Sequence, residues 1–167
     1  VMNQAHLHLL FNHFPIVVPM AGILVMIAGY VLKSETVKGT ALGLFVFGAI
    51  MAIPSMATGE GAEEIAEKIP GITIDIIHHH EEMAEKFAFL SYFLGLLSAF
   101  GLWSLWKKRK FVNVIFGLAL AVALINIYLA KQAGTSGGEI RHTEIRTGAA
   151  TPDAGTPENG QSEDHDD

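Results

Sequence analysis

Four stretches of this sequence, 14–32, 39–57, 87–106 and 111–130, hold no charged side chain. Each is about the 17–25 residues that an α-helix needs to cross a hydrocarbon core. A soluble helix of that length would carry a polar stripe along its outer side, and these carry none. The chain is therefore expected to be an all-α integral membrane protein, a four-transmembrane-helix up-down bundle whose first partner is the lipid bilayer. Half of its 167 residues are hydrophobic, and their bunching carries the inference more than their number does.

Residues 1–133 are the expected membrane domain, 134–146 a polar segment after the last helix, and 147–167 a disordered acidic tail. The tail is rich in Pro and Gly and nearly free of large apolar side chains, so it cannot bury enough surface to order. The net charge of −6 belongs to this end, because 134–167 hold eight acidic and two basic residues and the rest of the chain balances. No basic patch with interleaved aromatics is present, which excludes nucleic acid as a partner. There is no cysteine, which excludes disulfides, thiolate-bound haem, iron–sulfur clusters and covalently attached haem. Gly-rich phosphate loops, nucleophile elbows and metalloprotease pairs are missing too, and whether the chain is an enzyme stays open. The residues before 14 lack a basic start, so no cleaved leader is expected.

Helices joined by short turns reverse direction, and this sets sides. The turns at 33–38 and 107–110 fall together and hold six basic residues in ten positions. That density marks the cytoplasmic side. Trp103 and Trp106 precede the second turn, where an interfacial aromatic belt belongs. The expected location is the bacterial inner membrane, with both termini on the periplasmic side.

The same alternation gathers histidines at the periplasmic end. His6, His8 and His13 precede the first helix, His78, His79 and His80 the third, and His142 follows the fourth. Glu60, Glu63 and Glu64 follow the second helix, and Glu81 follows the histidine triple. Mixed imidazole and carboxylate is the composition of a metal centre, here drawing on His6, His8, His13, His80, Glu60, Glu63, Glu64 and Glu81. His13 and His80 both stand about one turn outside a span, and imidazoles facing across a four-helix bundle can ligate haem b.

The expected cofactor is thus haem b or a non-haem transition metal (iron, copper or zinc), and the expected role is a redox or electron-transfer accessory. With haem, His13 and His80 are the axial ligands and the glutamates orient them; without it, the glutamates join the metal. Met56 and Met83 lie at the same face and suit copper(I). Glu139 and His142 repeat the Glu-x-x-His spacing of di-iron bundles, but Gly134, Gly137 and Gly138 argue against a continuous helix there. The rival expectation is a structural or assembly subunit of a larger membrane complex, without cofactor, whose polar cap meets redox or other membrane subunits.

Small residues, which let membrane helices approach, mark the inward faces. On the third helix Ala84, Ala88, Ser91, Gly95 and Ser98 form such a row. Extended four residues back it lands on His80, and the helical period turns His78 and His79 away by roughly 200° and 100°. That helix is expected to start near 73–75 and to project above the membrane before entering it near Phe87. The fourth helix offers Ala119, Ala123, Asn126 and Ala130, with Asn126 needing a partner, and the second Ala41, Phe45, Gly48, Ala52 and Ser55. On the first, His6, His13 and Met20 share a face if the helix begins before Asn3. Pro15, by contrast, suits a first turn and would put His13 near a cap.

The strings His6-Leu-His8-Leu-Leu-Phe-Asn-His13-Phe-Pro15, Thr58-Gly-Glu-Gly-Ala-Glu-Glu64 and His80-Glu-Glu82 together resemble a family of small bacterial inner-membrane proteins of unknown function. That family is associated with the superfamily of two-haem b-type membrane cytochromes. The resemblance covers roughly residues 6–130. It implies a four-helix membrane bundle with haem binding, in which His8, His13 and His80 are the matching positions. His78 and His79 stand where relatives carry acidic residues.

Overall fold

The computed structural model describes residues 3–142 and 145–146. The tail at 147–167, with His165, lies outside the described residues. The described residues are mostly helical: α1 Gln4–Phe11, α2 Phe14–Val31, α3 Glu35–Ala57, α4 Gly59–Ala66, α5 Ile74–Trp106 and α6 Val112–Arg141. Four helical segments are long and apolar enough to cross a membrane: α1 with α2, then α3, α5 and α6.

Local chemistry sets most of the helix ends. The Asn3 side chain accepts from the His6 amide at 2.9 Å and starts α1. Pro15 sits in the first turn of α2, where its missing N–H costs nothing, and His13 is the residue before that helix. A helix running unbroken from before Asn3 is therefore not what forms. It stops at Phe11 and restarts at Phe14, and His6, His13 and Met20 are all exposed. Ser34 caps α3 by accepting from the Val37 amide at 3.3 Å, so the turn expected at 33–38 is shorter and Lys38 lies within the helix. The acidic connector between α3 and α5 folds its first half into α4. Helix α5 begins at Ile74 after Thr73, as expected, and its first three turns project beyond the apolar stretch.

The four long helices form a ring in which neighbours run antiparallel. Gly29 meets Lys38, Gly22 meets Phe45 and Pro19 meets Gly48, so α3 runs back along α2. Leu105 meets Gly39, Leu42 meets Gly101 and Ala49 meets Gly95, so α5 runs back along α3. At Gly95 the helices are so close that a Cβ would overlap that of Ala49. The inward rows read from the sequence are buried on all three helices, Ala84 excepted, which is half-buried. Asn126 finds its partner in Ser91, donating to its hydroxyl at 3.0 Å across α5 and α6.

The outside is as apolar as the inside. Phe45, Phe116, Met26 and Leu42 are fully buried, while Leu24, Phe89 and Leu96 are 70%, 75% and 73% exposed. In water so large an apolar surface would be unfavourable; against lipid it costs nothing, and close packing of small residues then holds the ring.

The glycines after Lys131 do not end α6. The helix passes through Gly134, Gly137 and Gly138 to Arg141, so most of the segment expected as post-helix and polar continues the bundle. The projecting turns of α5 explain this, since Ala133 and Ser136 bury against them, at 6% and 2% exposure. Tertiary packing outweighs a glycine penalty of about 1 kcal/mol each.

Candidate imidazole site

Antiparallel packing brings α1, the end of α3, the start of α5 and the end of α6 to one end of the bundle. A cavity of about 400 Å³ opens there. His8, His13, His80 and His142 line it, with Asn12 and Arg141, over apolar walls that include Met56 and Phe87. Phe87, Ala130 and Ala133 form a small apolar cluster of their own beneath it.

His8 is placed by the end of α3. The last carbonyls of a helix lack intrahelical partners, and here two side chains serve them. The His8 Nδ1–H donates to the Ser55 carbonyl at 3.0 Å. The Thr58 hydroxyl donates to the Pro54 and Ser55 carbonyls at 2.8 and 3.1 Å. A carbonyl can only accept, so the His8 proton is on Nδ1 and the lone pair is on Nε2.

His80 reaches the same state by another route. Its Nδ1 is 3.1 Å from Ser136 Oγ, and the Ser136 hydroxyl proton is already given to the Ala133 carbonyl at 3.1 Å. Ser136 therefore accepts, His80 donates from Nδ1, and its Nε2 also carries a lone pair. Gly137 makes room for the ring, since a Cβ there would lie 2.9 Å from His80 Cε1. His13 follows the pattern, with Nδ1 donating to the Leu9 carbonyl at 3.1 Å, but it is exposed at the cavity rim.

His8 and His80 lie outside the apolar stretches, and burial holds both rings below the ordinary histidine value. For His80 the charge of His8 lowers it further, which places the two rings within electrostatic reach of each other. Both rings are thus neutral near pH 7, the form that binds a metal. Asn12 adds a buried Oδ1 without a hydrogen-bond partner in the structure.

The carboxylates stand apart from this cavity. Glu63 of α4 and His78 and Glu81 of α5 each bring one ligand atom within 4.8 Å of the others. Burial first, and then the nearby Glu81, push the Glu63 carboxyl up. Glu60 and Glu64 are exposed on α4, and His6 is exposed on α1. The residues expected to form a single mixed centre therefore fall in two groups: imidazoles at an apolar cavity, and a Glu63–His78–Glu81 triad in which Glu63 is half-buried and the other two are exposed.

Within the first group the charge of His8 reaches His80, while His13 lines the same cavity but is exposed. The break at Asn12 explains it, because α1 leaves the line of α2 and the seven-residue spacing of His6 and His13 no longer describes one face. His78, expected as an extra, is a member of the second group. His142 follows α6 at the cavity, while Glu139 does not line it. The roles of Asn12 and Arg141 had no signal in the sequence, since each depends on where a helix stops. No family model, curated protein or solved structure matches this chain.

Proposed function

We propose that this is an integral protein of the bacterial inner membrane, related to the family of unknown function named above, whose periplasmic end binds haem b through His8 and His80. Its role is that of a redox or electron-transfer accessory. The observation that carries this reading is the pair of imidazoles on one apolar cavity, each with Nδ1–H held by an oxygen and Nε2 left basic. Metal-bound histidines are held in this way, with the other ring N–H donated to an oxygen.

The surroundings fit haem better than a bare ion. No carboxylate lines the cavity, its walls are apolar, and Arg141 offers a cation for a propionate. The volume is within the range of cofactor sites. Bound haem would supply one-electron transfer; the chain's part is to hold two neutral rings and to keep water from them. Non-haem iron, copper or zinc on the same nitrogens is the second form of the proposal. The Glu63–His78–Glu81 triad is a separate place for such an ion.

The basic turns and the tryptophans before 107 support the orientation, by the positive-inside rule. Elemental analysis and haem extraction on protein purified in detergent test the reading. Haem, or one iron, copper or zinc per chain, is expected. It should be lost in His8→Ala and in His80→Ala and kept in His79→Ala. A folded, metal-free and haem-free protein that cannot be reconstituted would point to the assembly-subunit role instead.

A further inference from the structure

The other end of the bundle carries a cleft that the imidazole site does not use. It has a volume of about 660 Å³ and lies between the start of α3 and the α5–α6 turn. Lys108, Arg109 and Lys110 line its polar side, and Leu102, Leu105 and Val112 its apolar wall. Glu35 is the one carboxylate among its lining residues.

A fourth positive charge stands next to it. Lys38 is only 7% exposed. Its Nζ donates to Asn113 Oδ1 at 3.1 Å, and Asn113 also lines the cleft. That ammonium also stands over the faces of Tyr30 and Phe116, at 5.0 and 4.6 Å from the ring centroids. All three contacts are neutral. Among the described residues the ion pair is Lys86 with Glu82, at the far end of the chain's fold, and no carboxylate pairs with Lys38. Buried charges are ordinarily compensated, and among the described residues this one has no carboxylate partner.

Cations over an apolar wall match an amphiphile with an anionic head. The cleft also lies level with an aromatic belt, since Arg109 stacks over Trp103 at 5.4 Å and Lys107 over Trp106 at 4.0 Å. We propose that the cleft binds the headgroup phosphate of an anionic phospholipid, with Lys108, Arg109 and Lys110 on the phosphate and Leu102, Leu105 and Val112 along an acyl chain. Lys38 and Asn113 hold a positive field behind it. A basic pocket between helices at the cytoplasmic face is the setting in which such headgroups bind. The proposal rests on the bilayer reading of the four helices and is independent of any cofactor.

Native mass spectrometry of the full chain in nonionic detergent tests it, with phosphatidylglycerol, phosphatidylcholine and inorganic phosphate titrated separately. Phosphatidylglycerol should bind at the lowest concentration. Lys110→Gln should weaken it about fivefold, and Lys108→Gln, Arg109→Gln and Lys110→Gln together on the order of a hundredfold. Lys86→Gln with Lys131→Gln, at the histidine end, should leave it unchanged. Equal binding of phosphatidylcholine, or full affinity in the triple variant, would overturn the proposal. Inorganic phosphate competing at the same concentration as the lipid would overturn the lipid as occupant. Recovery of the protein in the soluble fraction of lysed cells would instead contradict the bilayer reading.

Discussion

His80 and Ser136 meet across α5 and α6 at 3.1 Å, and the direction of that bond is fixed by a third group, the Ala133 carbonyl that takes the Ser136 proton. Ser136→Ala removes the side-chain acceptor of the His80 ring and leaves it only the Ala133 carbonyl. Loss of such an outer partner typically weakens metal binding about 10–100-fold. We expect that loss in a haem or metal titration, with the far-ultraviolet circular dichroism unchanged. Wild-type affinity in Ser136→Ala would show that the ring needs no such support.

Two glycines on α6 separate packing from propensity. At Gly134 a Cβ would meet nothing within 4 Å, whereas at Gly137 it would lie 2.9 Å from the His80 ring. Gly134→Ala should stabilise the helix by up to about 1 kcal/mol and leave the His80 ring where it is, although Gly134 also lines the cavity. Gly137→Ala should displace His80 and lower its affinity for haem or metal, whatever it does to stability. Thermal unfolding and ligand titration on both variants check this, and equal effects at the two positions would contradict it.

The bond from Asn126 to Ser91, at 3.0 Å in the middle of the bundle, should be worth little for its position. Interhelical hydrogen bonds in membrane proteins average about 0.6 kcal/mol and reach about 1.7. A double-mutant cycle of Asn126→Ala and Ser91→Ala should return a coupling in that range. A coupling near zero would mean that the two side chains are not bonded in the folded protein.

Acid should destabilise the cap. Burial lowers His8 and His80, so between their folded values and the ordinary value of about 6.5 the unfolded chain binds more protons than the folded one. Stability is full above that window and is lost as pH falls through it. Glu63 acts in the opposite sense. Its raised carboxyl favours the folded state at low pH, and that contribution is lost as pH rises through its folded value. Melting in detergent at several pH values, in wild type and His80→Gln, isolates the histidine part. The variant should lose less stability on acidification; an identical slope would refute the assignment.

The apolar stretches and the small-residue rows make the four helices and their inward faces legible in the sequence, and the row through Ala84 and Ala88 also points to His80. These features are local and periodic. What could not be read depends on contacts between distant segments. The burial of His8, with His13 left exposed, follows from the break at Asn12 and from the Ser55 carbonyl at the end of α3. The run of α6 through Gly134 and Gly137 follows from the projecting part of α5, which rewards Ala133 and Ser136 for staying helical. The division of the glutamates from the cavity required the fold of α4. Pro15 did carry a signal for the break, and it competed with the spacing of His6, His13 and Met20.

The central claim is that His8 and His80 act as paired ligands, and the optical spectrum tests it most directly. Protein purified in detergent, or reconstituted with haem, should show a Soret band that shifts on reduction. That band should disappear in His8→Ala and in His80→Ala and persist in His79→Ala. A helical, well-folded wild-type protein that stays colourless after reconstitution, or an unchanged spectrum in His80→Ala, would contradict the account.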